Sequence, residues 1–309
     1  MNPCFRGHGG APLPSAMKPF SLLCAALLLA VSAAAEELPD MTSVTPDLLV
    51  PEMIRGEPAA GQRVRQTTPS WEKTEVYHAL YLPRDWHPGR KWPVIIEWAG
   101  NGNFRNQFGD VSNGRVEGSN LGYGLTAGEG AIWVCVPYLN AAATANVVTW
   151  WGDPPAYDPE STLAYVRATV RFVCEKYGGD SARIVLAGFS RGAIAANYLG
   201  LHDDATARLW RAFICYSHYD GVRTGWPYPG ADRASAAARL RRLGGRPQFI
   251  CGEGANAADT ERYLRESGLS DAGKFTITGT GFRNHNDAWV LRPSPARIRL
   301  REWFAEVLK

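Results

Sequence analysis

The stretch Ile184-Val185-Leu186-Ala187-Gly188-Phe189-Ser190-Arg191-Gly192-Ala193, IVLAGFSRGA, decides how the chain is read. An apolar run with the pattern of a buried strand stops at a serine that has a glycine two residues to either side. The residues behind it, RGAIAANYLGLH, have the pattern of a helix. A tight strand-to-helix turn forces its middle residue into a strained backbone conformation. The flanking glycines let strand and helix pass close together, and the hydroxyl then stands at the sheet's C-terminal edge over the helix N-terminus. Two readings fit these ten residues: an ordinary βα turn that uses a serine as a cap, or a nucleophile elbow.

Outward from the elbow the chain alternates. TEVYHALYLP (74–83), WPVIIEWAG (92–100), AIWVCVPYL (131–139), RAFICYS (211–217), PQFICGE (247–253) and KFTITGT (274–280) read as strands. Between and after them, 159–178, the alanine-rich stretch following Ala231, 259–268 and 295–309 read as helices; in the last, Leu300, Trp303, Phe304, Val307 and Leu308 share a face. Continuous apolar strands alternating with helices imply one α/β domain over 71–309. Its sheet is mostly parallel, of about eight strands, with helices on both faces. Residues 36–70 hold five prolines and little periodicity and read as an extended arm on the domain surface. Gly100 to Gly130 contains nine glycines but no GxGxxG opening a helix, so it reads as a loop lining or covering a site, not as a dinucleotide or phosphate cradle.

The first 35 residues read as an export signal. From Met17, a possible true start, Lys18 precedes an apolar segment from Phe20 to Val31, and Ala33-Ala34-Ala35 offers a cleavage site before Glu36. The implied location is secreted or periplasmic, without stable membrane insertion. The net charge is +3, and Arg6 and Lys18 lie in the leader, so the remainder is nearly neutral. No clustered basic face indicates a nucleic-acid partner; Arg239, Arg241 and Arg242 read as a solvated helix face. Of Cys135, Cys174, Cys215 and Cys251, three sit in apolar strand-like runs and Cys174 in a helix, which suits buried thiols acting as small hydrophobes. No spacing among them indicates a disulfide or a metal site. Oligomeric state leaves no trace in the sequence.

A serine nucleophile needs a base. His285, in NHNDAW before the last helix, stands after the last strand, where this fold would place one; His218, right after RAFICYS, is its rival. The base needs an orienting carboxylate. Asp259 is the first choice, though it could equally cap a helix; Asp220 and Glu253 are the alternatives. Backbone N–H groups of Arg191 and of the loop at Asn101 would form the oxyanion hole. Trp151, Asp153 and Trp226 are candidates for substrate contact, the tryptophans being equally readable as core. No metal or organic cofactor is required.

YLPRDWHPGRKWPVIIEWAG, CEKYGGDSARIVLAGFSRGA and NHNDAW together resemble the secreted esterases of the α/β-hydrolase superfamily: feruloyl esterases, acetylxylan esterases and polyhydroxybutyrate depolymerases. The resemblance covers about Tyr77 to Leu308 and implies hydrolysis of a small-molecule or polysaccharide ester, carbohydrate-linked or aryl, through an acyl-enzyme. The chain departs from the pattern twice. Ala99-Gly100 stands for the usual His-Gly of the oxyanion loop, and Ala255 stands where an aspartate is usual. The second departure keeps open a catalytically weak glycan-binding protein on the same fold, beside a peptidase of the same superfamily.

Overall fold

The computed structural model describes residues 37–309. The expected leader and Met17 lie outside the described residues. Nine strands form one sheet: β1 (Met53–Ile54), β2 (Arg63–Gln66), β3 (His78–Tyr81), β4 (Trp92–Trp98), β5 (Ile132–Val136), β6 (Gly179–Phe189), β7 (Ala212–Tyr216), β8 (Pro247–Gly252) and β9 (Lys274–Gly279). Their spatial order is β1-β2-β3-β5-β4-β6-β7-β8-β9. The pairs flanking β3 are antiparallel and all others are parallel.

The central strands β4, β5 and β7 are buried along their whole length and almost entirely apolar, because both faces are covered there. In β4, Val94, Ile96 and Trp98 enter one core cluster and Ile95 the other. Onto the first face pack α2 (Glu160–Lys176), α3 (Arg191–Tyr198), α4 (Arg233–Leu240) and α5 (Asn256–Glu266), through Leu163, Val166, Ile194, Leu240 and Tyr263. Onto the second pack α1 (Leu121–Thr126) and α6 (Pro295–Val307), through Leu121, Leu125, Leu300 and Phe304. The chain order strand, α2, β6, α3, β7 brings the N-terminus of α3 to the C-terminal edge at the centre of the sheet, where parallel α/β sheets bind ligands.

Two segments differ from their expected form. Part of the arm enters the sheet: β2 pairs antiparallel with β3, Arg63 opposite Tyr81, and its Val64 is fully buried. Arg63 hides this strand from a polarity pattern, because its guanidinium is buried over the Trp133 ring, 4.6 Å from the centroid, and donates to the Val116 carbonyl at 2.8 Å. The glycine-rich loop also has structure of its own, a hairpin of Phe104–Arg105 with Val111–Ser112 followed by α1. The buried Glu97 of β4 anchors α1 by accepting the N–H groups of Leu121 and Gly122 and the Trp133 indole N–H. No helix among the described residues is long and apolar enough to cross a membrane.

Candidate active site

Ser190 joins β6 to α3 at φ 55° and ψ −115°, a conformation costly for any residue but glycine. Close packing demands the two glycines around it. A Cβ on Gly188 would lie 2.0 Å from the Gly192 carbonyl oxygen, and one on Gly192 would lie 2.0 Å from that of Trp98. The first turn of α3 is thus pressed against the end of β4, and the Ser190 N–H is held by the Tyr216 carbonyl at 2.9 Å. Backbone strain at a serine is the kind of outlier that gathers at active sites, and it makes this turn the candidate.

His285 stands over this hydroxyl, its Nε2 3.0 Å from Ser190 Oγ. The ring lies against Phe189 and Phe104, with centroids 4.8 and 5.0 Å away. Its loop is tied on two sides. Asp110 accepts the His285 backbone N–H at 2.9 Å and the Asn284 side-chain amide at 3.0 Å. From the other side, the Tyr216 hydroxyl donates to the Asn284 carbonyl at 2.9 Å. Asp110 belongs to the hairpin of the glycine-rich loop, and nothing in its sequence context points to this part.

The second imidazole nitrogen, Nδ1, donates to Glu253 Oε1 at 2.7 Å. That oxygen also accepts from Ser217 Oγ at 2.9 Å and from the Asn256 amide at 2.8 Å. Burial would push the Glu253 carboxyl up, but the His285 hydrogen bond and charge, with the Ser217 hydroxyl, outweigh it and hold it below the usual glutamate range. Glu253 directly follows β8. Ala255, two residues further on, is the N-cap residue of α5 and brings no carboxylate to the site.

The other two acids face elsewhere. Asp259 lies in the first turn of α5 and binds Arg262, three residues on; since α5 begins at Asn256, Asp259 does not cap it either. Asp220 is buried against Arg239 at 2.9 Å and the Tyr228 hydroxyl at 3.1 Å. The same pair takes Arg239 off the solvated helix face expected for it.

Ser217 and His218 form a second strained turn. The His218 N–H reaches back to the Tyr216 carbonyl at 3.3 Å, and Ser217 between them has φ 81°. An i→i+2 hydrogen bond across such a residue is the rare form of γ-turn. It sends the Ser217 hydroxyl to Glu253 and places His218 Nδ1 3.1 Å from Ser190 Oγ. Both histidines therefore reach the serine.

The loop after β4 adjoins the elbow. Arg191 is buried, lies 3.8 Å from the centre of the Tyr138 ring and donates to the Gly100 carbonyl at 2.8 Å. Among the described residues, the backbone N–H groups of Asn101 and Arg191 have no acceptor. A cleft of about 530 Å³ opens here, with Gly100, Phe104, Phe189, Arg105, Arg115 and Asn286 in its wall.

The aromatic candidates divide. Trp151 is fully buried and stacks on Tyr198 at 4.7 Å, so it packs the core. The exposed Asp153 accepts the Ala141 N–H and braces a loop. Trp226 is half-buried, 5.7 Å from the His218 ring and 5.3 Å from Trp150, and stands at the site. The four cysteines are free thiols. Among the described residues, no group of three or more His, Cys, Asp or Glu is placed to hold a metal ion.

The chain matches no family model. No curated protein is similar to it in sequence. Solved structures do resemble it. An S-formylglutathione hydrolase from Agrobacterium tumefaciens is 15% identical, with 83% of this chain and 99% of that one aligned at a TM-score of 0.54. For a fungal esterase from Rhizomucor miehei the figures are 13%, 86%, 85% and 0.50. The chain spans 62% of the length of a thermostable esterase, at 16% identity over 79% of its own residues and a TM-score of 0.46. Identities this low speak for the fold alone, and the fold is that of the α/β-hydrolases.

Proposed function

We propose that the protein is a serine hydrolase that cleaves a carboxylic ester through an acyl-enzyme on Ser190. One observation carries the reading: a serine strained at a strand-to-helix elbow has its Oγ 3.0 Å from His285 Nε2, and His285 Nδ1 lies 2.7 Å from Glu253. In this reading Ser190 Oγ attacks the ester carbonyl while its proton passes to His285 Nε2. Glu253 holds the ring in the tautomer that leaves Nε2 free and offsets the charge the ring acquires. The carbonyl oxygen gains negative charge and is met by the Asn101 and Arg191 N–H groups. His285 then gives its proton to the departing alcohol. Water repeats the sequence on the acyl-enzyme, releasing the acid and restoring Ser190.

Trp226 and Trp150 beside the site support an ester of a carbohydrate or an aryl alcohol, since flat apolar rings stack on both. The sequence between Met17 and Glu36 supports export. With Glu253 available as the acid, Ala255 no longer argues for a weakened enzyme.

The test is release of p-nitrophenol from p-nitrophenyl acetate by the purified protein, with labelling by a fluorophosphonate. Both should disappear in Ser190→Ala. Turnover that survives this substitution, or a wild type that neither turns over nor labels, sinks the proposal.

A further inference from the structure

We propose that His218 is a second catalytic histidine, one that donates its Nδ1–H to Ser190 Oγ and assists that oxygen's departure when the acyl-enzyme is hydrolysed. The inference rests on the ester-hydrolase reading and adds a step-specific residue to it.

The geometry constrains the protons. His285 Nδ1 carries a proton because it faces Glu253 at 2.7 Å, so its Nε2 is an acceptor and takes the single proton of Ser190 Oγ at 3.0 Å. Ser190 Oγ then offers only lone pairs to its other neighbour. His218 Nδ1, 3.1 Å away, makes that hydrogen bond only if it bears the ring's proton. The ring is neutral and has one proton to place: burial, aided by His285 and Arg223 against the weaker pull of Glu253, pushes its pKa down to about 3. The rare γ-turn at Ser217 and the Trp226 ring 5.7 Å away hold this orientation. Backbone strain of this kind persists only where the surroundings enforce it.

A donor on Ser190 Oγ acts differently on the two half-reactions. Free serine oxygen is a good acceptor, an oxygen leaving a tetrahedral carbon is a better one, and an ester oxygen is a poor one. The hydrogen bond weakens as Oγ attacks and strengthens as Oγ leaves. It therefore opposes acylation slightly and favours deacylation. In deacylation, the water oxygen bonds to the acyl carbon as its proton passes to His285 Nε2. The carbon–Oγ bond then breaks, and that proton moves to Oγ. His218 gives up no proton at any stage; it supplies a hydrogen bond to the oxygen that carries away the electron pair.

The experiment is stopped-flow hydrolysis of p-nitrophenyl acetate, reading the burst for acylation and the steady state for deacylation, with intact-mass measurement during turnover. In His218→Ala, deacylation should fall about 10- to 100-fold, somewhat less than the loss of an oxyanion-hole donor, and acylation should be unchanged or faster. The acetyl adduct should accumulate on Ser190, and KM should fall with kcat. His218→Asn, whose Nδ2–H stands where Nδ1–H stood, should recover deacylation to within about threefold of wild type. His218→Leu fills the volume without a donor and carries the same expectation as alanine should that variant fail to fold. Equal slowing of both steps, no slowing of either, or an asparagine no better than alanine overturns the role of His218 while leaving the Ser190 reading intact. Turnover that persists in Ser190→Ala overturns both.

Discussion

Glu253 Oε1 and His285 Nδ1 lie 2.7 Å apart across 32 residues of sequence, and the same oxygen collects donors from Ser217 and Asn256. A carboxylate with three donors on one oxygen is fixed in position. It orients the imidazole through a part of the sheet edge that packing makes rigid, the end of β8. The carboxylate that faces the imidazole thus comes directly from the strand end and not from the helix that follows.

This arrangement separates the three acids by experiment. Glu253→Gln should lower kcat by about three to four orders of magnitude, because the amide favours the wrong tautomer of His285. Asp259→Ala should leave kcat within about twofold, since it frees only an exposed Arg262. Asp220→Ala should act on stability: it strands the buried Arg239, at a cost of about 3–5 kcal/mol, without changing kcat per folded molecule. Titration of active sites with a fluorophosphonate distinguishes the two kinds of loss. A Glu253→Gln enzyme with wild-type kcat refutes the assignment.

Acid stability gives a second test. His78 is fully buried, its Nδ1 2.8 Å from the Tyr165 hydroxyl, and burial alone drives its pKa down to about 3. An unfolded histidine titrates near 6.5. Below that pH the unfolded chain takes up a proton that the folded chain refuses, so stability falls as pH drops from 6.5 toward 3, by up to about 1.4 kcal/mol for each pH unit. His218 adds to the slope in the same sense. In His78→Asn, Tm should be lower at pH 7.5 because a cavity is left, and its decline between pH 6.5 and 4 should be shallower. Parallel Tm profiles for the two proteins would exclude His78 as a source of the acid sensitivity.

The elbow was legible because its demands are local. Strand periodicity, two glycines and a helix pattern all fall within twenty residues, and the steric reason for each glycine is a backbone atom that lies 2.0 Å from where a Cβ would be. His285 was legible from order along the chain. The acid was not, because Asp259, Asp220 and Glu253 are equivalent as text. Only the register of β8 and the start of α5 decide which one faces the imidazole. Ser217 and Asp110 were missed for the same reason. One depends on a backbone turn with φ 81°, the other on a hairpin that folds back from the glycine-rich loop to meet Asn284 and His285. The strand β2 was missed because Arg63 and Arg65 look like surface in a sequence, whereas Arg63 buries its stem and head on Trp133.

The aromatic residues offer the last test, since two tryptophans that the sequence leaves equally readable as core or as substrate contact differ in burial. Trp151 fills the core against Tyr198, Tyr138 and Tyr228, with no exposed surface. Trp151→Ala should cost about 3–5 kcal/mol and lower Tm by roughly 10 °C, with KM unchanged in the folded fraction. Trp226 keeps part of its ring open beside His218. Trp226→Ala should leave Tm within a few degrees and raise KM for aryl and glycosyl acetates more than for ethyl acetate, whose alcohol has no ring to stack. The contrast between the two substrates is the decisive reading. A Trp226→Ala variant that loses Tm as Trp151→Ala does, with no substrate-dependent change in KM, would make Trp226 a core residue as well and remove the stacking argument for a carbohydrate or aryl ester.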